Sequence, residues 1–513
     1  MSHIDLSKES PPNEICGDIC IIGAGAAGIY IATKLVERGK SVILVEAGPW
    51  KSIAPESIGF EQLFTRDKYS GALDGRYFGV GGSTSNWGGN LIPHSEFDNK
   101  DDDSSETWES ILNSIQKNSQ EVLNTLGYKK DPNFDSYANR ILGTSSKILS
   151  KAGFLAQSSL FIPFSKKNMS YLLKKNPLRR NKLKLIFNAV AKEWLFSSEE
   201  SRSIEKLVSI SKNKNKAVIK ANKFIVTAGA LESTRILLEI NQCKSSSIFS
   251  DDSDIGLFLG DHLSVPIADV AEDDNKAASN FFSPHFDGQW MRGLRFISND
   301  KERETPRAFI HFEFDNQSPG FQLVKDIFQA IQSQKYPKIR AKALITGMID
   351  IIKLAYFRFF KSRLYISNET KSHLQLDIEQ HRSVENRVVL IDDLDIYGRR
   401  KLKISWSVNR EDMDNIKLVS ERILDLWPNA DSDLPRLIPR ELDFYSRKPH
   451  DAYHPVGTCR MGLDKKAVVD CELKVKGLDN LWSVSTAVLP SAGTANPTFS
   501  ILCLGNKLAS KLK

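Results

Sequence analysis

Cysteine is scarce and unpatterned. The six, at positions 16, 20, 243, 459, 471 and 503, form no Cys-x-x-Cys pair and have no His-rich sequence beside them. Neither a zinc site nor a disulfide framework is readable, no metal is expected, and reduced thiols in a cytoplasmic protein are the plain reading. Long hydrophobic runs are missing as well; the apolar stretch at 19–22 is far too short to span a bilayer. The opening MSHIDLSKESPPNEICGD lacks the charged-then-apolar layout of a signal peptide, and its first ten residues read as polar and disordered. There is no internal repeat, and no low-complexity segment beyond the acidic stretch DNKDDDSSE (98–106). Net charge is +7, yet the one dense basic run, 212–220, reads as a hairpin tip, so no nucleic-acid partner is expected.

The 513 residues exceed the ~250–300 at which a single core stops growing, so two lobes are expected. The segment DICIIGAGAAGIYIATKLVERGKSVILVEAG (18–48) reads as a buried strand, a Gly-rich turn, a helix closed by Gly39 and a second strand ending at Glu46. Within it Gly23, Gly25 and Gly28 supply GxGxxG. The first glycine allows the tight turn, the second lets a pyrophosphate approach the backbone, and the third permits close helix–strand packing. The Glu46 carboxylate can then accept hydrogen bonds from both adenosine ribose hydroxyls. This unit fixes a dinucleotide but does not separate FAD from NAD.

A second Gly-rich stretch, RYFGVGGSTSNWGGN, occupies 76–90. A polar helix is predicted over 108–126, and 184–226 reads as short strands, LIFNAVAKEWLF, IEKLVSISK and AVIKANKFIVTAG. The last 60 residues return to Gly-rich turns and a helix.

Several ordered motifs together resemble the glucose-methanol-choline (GMC) oxidoreductase family. They are GAGAAG with Glu46, VGGSTSNWGG, TAGALESTRILL, DIGLFLGDHL, HPVGTCRMG and VVDCELKVKGLDNLWSVSTAVLPSAGTANPT, with EQ, NRVVL and a following Asp-x-x-Gly (379–398) the recognisable part of the middle. The resemblance implies an α/β fold: a discontinuous Rossmann-like FAD-binding domain (14–95, 180–264 and 446–513) and an α+β substrate-binding lobe (265–445) on a mainly antiparallel sheet. A helical covering segment (96–179) is expected between them. FAD would be held by Gly23, Gly25, Ala26, Ala27, Gly28, Glu46 and Ala47. In the second stretch the contacts would be Gly81, Gly82, Ser83, Asn86, Trp87 and Gly88, with backbone amides facing the flavin. Val190, Thr227, Ala228, Gly229, Ala487, Asn496, Pro497 and Thr498 complete the implied contacts. STSNW and GTANPT look closest to pyranose 2-oxidase-like sugar oxidoreductases. In that pattern a histidine bonded to the flavin stands where this chain has Asn86, so non-covalent FAD is expected.

Removing hydride from a carbinol carbon needs a base for the hydroxyl proton and a donor that holds the oxygen. Neutral imidazole suits the first task, and the resemblance places it at His454. Asn496 would be its partner. Asn before Pro is also an ordinary helix start, so Asn496 could simply cap the last helix; that helix would aim its positive end at the flavin. The expected reaction is oxidation of a sugar, polyol or sugar-containing metabolite. A sterol or long-chain alcohol oxidase is the second reading, and a lyase keeping FAD as structure the third. Oxygen, a quinone or a protein could be the electron acceptor.

One segment of the second lobe, AKALITGMIDIIKLAYFRFFKSRLYIS (341–367), has a largely apolar helical wheel with a narrow basic stripe. Packing in a core or an oligomer interface is the leading expectation, and contact with a membrane surface or a lipid-linked substrate the other.

Overall fold

Two sheets of different kind carry the chain. The computed structural model describes residues 2–11, 13–99, 104–174, 181–243, 247–298, 306–337, 339, 341–428, 433–444 and 448–512. In the eight-stranded first sheet the apolar run at 19–22 is the second half of strand Ile15–Ile22. It lies between Val42–Val45 and Lys216–Val226, parallel to both. Beyond Val42–Val45 come Leu183–Phe187 and the edge strand Ser2–Asp5, again parallel. On the other side Ile204–Ile210 and Val190–Phe196 are antiparallel, and Leu481–Ser483 pairs in parallel with Lys216–Val226. Every residue of Val42–Val45 is buried, as a parallel strand covered on both faces requires. Helix Ala26–Glu37 is tied to the last helix, Thr498–Lys511, by the Tyr30 hydroxyl, which donates to Asn506 Oδ1 at 3.0 Å.

The second sheet has seven strands and is antiparallel throughout. Its order is Leu437–Pro439, His262–Val270, Ser372–Glu379, Ala308–Phe314, Leu294–Ser298, Phe154–Ser158, with His450–Asp451 also paired to His262–Val270. It has an apolar cluster of its own, in which the Phe282 and Phe312 rings stack at 4.1 Å beside Phe296 and Trp427. The α/β fold expected from the sequence, a mixed parallel sheet joined to an antiparallel one, is the fold observed.

Four expectations need correction. The first residues are not disordered: Ser2–Asp5 is a strand, with the His3 ring edge-on to Trp50 at 5.0 Å and Asp5 accepting from Ser7 and Asn188. The stretch LIFNAVAKEWLF is two strands, because Asn188 adopts φ 54° and redirects the chain to the opposite edge of the sheet. The described residues of 96–179 do not form one helical cover. Helix Ser105–Leu126 packs Trp108, Ile111 and Leu123 into the first sheet's core, whereas Phe154–Ser158 is an edge strand of the antiparallel sheet. Finally, helix Ala341–Phe360 is not packed in a core: its apolar side chains Ile345, Ile349 and Phe359 are exposed. Among the described residues no helix is long and apolar enough to cross a membrane.

Candidate active site

The register of the two central strands, Ile22 opposite Val45, brings the first turn level with Glu46. Gly23 N donates to Val45 O at 2.8 Å, and Ala24 N to Glu46 Oε2 at 2.8 Å. Gly23 has φ 108°, a left-handed conformation that favours glycine. A Cβ at Gly28 would lie 1.9 Å from Gly23 O, so Gly28 serves helix–turn packing. Gly25 is the opposite case: a Cβ there would meet nothing within 4 Å. It precedes the Ala26–Glu37 helix and makes no side-chain cap, so the first amides of that helix face open space. Such a helix N-terminus accommodates a pyrophosphate.

One cavity of about 600 Å³ is lined by Gly23, Gly25, Ala26, Ala27, Glu46 and Ala47, and by Gly82, Ser83, Asn86, Trp87 and Gly88. Val190, Thr227, Ala228, Gly229, His454 and Thr498 line it too. Five residues expected at the cofactor lie outside this lining: Gly28, Gly81, Ala487, Asn496 and Pro497. Gly81 (φ 111°) instead joins the two Gly-rich loops, its N–H donating to Ala24 O at 2.8 Å, and a Cβ there would strike Asn168 Oδ1 at 2.2 Å. Ala487 is fully buried and accepts from Cys459 N, and Pro497 is the residue that caps the last helix.

Glu46 is buried, and its Oε1 already accepts from Gly48 N and Gly79 N, both at 2.9 Å. Burial pushes its carboxyl up to about 7 against these donors. Oε2 keeps one lone pair beside its bond from Ala24, so one direct ribose contact is available there, not two. Sequence reasoning missed Arg76. It lines the cavity, is ion-paired to Glu232 at 3.0 Å, and has Nη1 buried without a partner. An acceptor-rich ligand would satisfy that nitrogen, whose desolvation otherwise costs about 1–3 kcal/mol. Glu232, which burial alone would raise, is held below the usual carboxylate range by the Arg235, Arg399 and Arg76 guanidiniums. The open glycine cradle and the orphaned guanidinium nitrogen fit FAD.

His454 owes its place to sheet register. Strand His450–Asp451 pairs with the start of His262–Val270, Leu263 opposite Asp451, which sets His454 beside His262. A single carboxylate pins both: Asp261 accepts from His262 N at 2.7 Å, from His454 N at 2.9 Å and from the Tyr69 hydroxyl at 2.5 Å. Burial, then the Asp451 carboxylate, raises Asp261 to about 8. Tyr453, just before His454, has φ 64°, an unusual conformation for a tyrosine at the point where the imidazole is aimed. Asp261, His262 and His454 offer atoms within 4.8 Å of one another, close enough for a metal ion. The bonds just described already occupy the carboxylate, and the two rings are bonded to each other, which argues against that use.

The rings also fix each other's tautomer. His262 Nε2 lies 2.9 Å from Gly493 O, an acceptor only, so Nε2 carries hydrogen. A ring whose one hydrogen is on Nε2 presents a lone pair at Nδ1, which here lies 3.0 Å from His454 Nδ1. The shared proton belongs to His454 Nδ1, and His454 Nε2 is left with its lone pair. Burial, then the neighbouring His262, pushes the His454 pKa down to about 3. A neutral imidazole with one free nitrogen therefore lines the cavity.

Asn496 closes the loop that begins at Gly493. That loop is fixed by polar groups: Gly493 N donates to Glu379 Oε2 at 2.8 Å, Thr494 N to Asp98 Oδ1 at 2.5 Å, and His94 Nε2 meets Ala492 O at 3.0 Å. The last helix begins at Thr498 with no side-chain cap, so the simple capping role weighed for Asn496 does not hold. Its Oδ1 is buried without a partner. Thr498 and Ile501, in the first turn of that helix, line the cavity, so its positive end faces the space. Asp261, His262 and Tyr69 escaped sequence reasoning; the DHL of DIGLFLGDHL was the available signal.

Two family models match the chain: one described as GMC oxidoreductase over residues 382–505, which includes His454 and Asn496, and one described as FAD binding domain over 18–56. Among curated proteins it is 37% identical over 71 residues to an oxygen-dependent choline dehydrogenase of Escherichia coli O45:K1, and 40% identical over 76 residues to a choline oxidase of Arthrobacter globiformis. Each stretch covers 14% of this chain and spans 13% and 14% of those relatives' own lengths. Solved structures align over nearly the whole chain and share the fold. A pyridoxine 4-oxidase from Mesorbium loti does so with TM-score 0.56 and 17% identity, covering 96% of this chain and 98% of its own. A formate oxidase from Aspergillus oryzae gives 0.56 and 15%, with 98% and 99% covered. The GMC oxidoreductase model thus covers the segment that carries His454, and the FAD binding domain model the first glycine turn and Glu46.

Proposed function

We propose that this chain is an FAD-dependent oxidoreductase that oxidises a hydroxyl group, with His454 as the base. The observation that carries the reading is the His262–His454 pair, which leaves His454 Nε2 as a free acceptor in the cavity wall. Bound in this cavity, FAD would supply the acceptor for the hydride that leaves the carbinol carbon. His454 Nε2 takes the hydroxyl proton, and Asn496, just outside the cavity lining, is assigned to hold the substrate oxygen through Nδ2, the donor end of its amide. Asp261 holds both histidine backbones, and the Thr498–Lys511 helix turns its positive end to the cavity. We assign 14–95, 180–264 and 446–513 to cofactor binding and 265–445 to the substrate lobe, and keep the cytoplasmic setting expected from the cysteines.

The pyranose 2-oxidase-like motifs STSNW and GTANPT favour a sugar, polyol or sugar-containing metabolite. The exposed apolar side of Ala341–Phe360 favours the second reading, a sterol or long-chain alcohol. Anaerobic bleaching of the flavin by a panel of sugars, polyols, sterols and long-chain alcohols decides between them. Rapid bleaching by a sugar or polyol is the expected result, followed by reoxidation with air, quinone or a protein acceptor. No bleaching by any of these compounds would overturn the redox reading in favour of a lyase.

Asn86 lines the cavity with its amide donating to Ser85 Oγ at 3.0 Å, and an amide has no nucleophilic ring nitrogen. Acid precipitation is therefore expected to leave a colourless pellet and release all FAD to the supernatant. A yellow pellet would show a covalent link formed elsewhere.

A further inference from the structure

Helix Ala341–Phe360 crosses helix Pro319–Gln332 at two glycines so close that a Cβ on Gly347 would lie 2.6 Å from Gly320 Cα. Asp350, the helix's one acidic residue, is turned to this crossing and accepts from Gly320 N at 3.3 Å. The far side is apolar and uncovered: Ile345, Met348, Ile349, Ile352, Phe359 and Phe360 are 56–77% exposed. Spacings of three, four and seven residues among them mark one stripe. Lys342 and Lys353 stand exposed on the same helix, and Lys361 just past its end. Six neighbouring large apolar side chains on one helix exceed the scattered exposure normal for a surface and mark a contact site.

We propose that this helix docks the protein on the surface of an anionic lipid bilayer, lying in the interface without crossing it. Charge complementarity selects this occupant. The exposed side carries lysines and no acid, the arrangement that pairs apolar insertion with attraction to anionic headgroups. A second copy is disfavoured, because a two-fold contact would set the same lysine-bearing stripe against itself. The docking helix is joined to the cofactor cavity through its neighbour. Gln329 lines the cavity, and Gln332 Nε2 donates to Trp87 O at 2.9 Å and Thr84 O at 3.2 Å. The inference does not depend on the redox reading.

The test is co-sedimentation of the flavin-loaded full chain with vesicles of phosphatidylcholine alone and with added phosphatidylglycerol. The protein should pellet with the anionic vesicles, at least about tenfold more than with the neutral ones, and lose most of that binding at high salt. The combined variant Ile345→Ser, Ile349→Ser, Ile352→Ser, altered only at exposed positions, should lose binding at least about tenfold with unchanged flavin content. Failure to pellet with either vesicle would overturn the proposal. So would a wild-type dimer in sedimentation velocity that the triple variant converts to monomer, since a second copy would then be the occupant.

Discussion

Replacing His454 by alanine is expected to slow anaerobic flavin bleaching about 10²–10⁴-fold, the usual contribution of a positioned base, while flavin content stays unchanged. The side chain lines the cavity, but its backbone is held by Asp261, so truncation removes the imidazole without loosening the loop. The pH dependence has a definite sign. Protonation removes the base, and with the pKa lowered to about 3 that happens only far below the ordinary imidazole midpoint of ~6.5. The acid limb of the bleaching rate should accordingly lie well below pH ~6.5. The same shift limits stability: between ~6.5 and ~3 the unfolded imidazole binds a proton that the folded one does not, so this group's contribution to stability falls as pH falls. An acid limb at the ordinary imidazole value, or a His454→Ala enzyme bleached within a few-fold of the wild-type rate, would remove His454 from the base's role.

What could be read from the sequence was local. The strand, glycine turn, helix, second strand and Glu46 lie within about thirty residues, and each piece has its own periodicity or turn chemistry. The edge strand Ser2–Asp5 gave no such signal, because a short polar strand is stabilised by its partner Leu183–Phe187 and not by alternation of its own. Helix Ala341–Phe360 was legible as an apolar helix, but a wheel cannot say whether its apolar side meets a core or solvent. The cluster around His454 was half legible. HPVGTCRMG marked His454, whereas Asp261, His262 and Tyr69 reach it through an antiparallel register between distant segments that no local pattern encodes.

That register makes His262 the residue on which His454 depends. It does not line the cavity, so its action is through its neighbour: Nδ1 accepts the His454 Nδ1 proton and keeps Nε2 of that ring unprotonated. His262→Phe deletes the acceptor and leaves a buried donor unsatisfied, a loss of about 1–3 kcal/mol that corresponds to roughly 5–150-fold in bleaching rate. His262→Asn places an amide oxygen near the position of Nδ1 and should recover most of the rate. A general loss of packing would not discriminate between the two, nor move the pH profile. His262 also helps hold the His454 pKa down, after burial, so removing it should shift the acid limb upward toward the ordinary imidazole range. Equal losses in the two variants with an unmoved acid limb would reduce His262 to a packing residue, and the choice of His454 Nε2 as the proton acceptor would lose its structural basis.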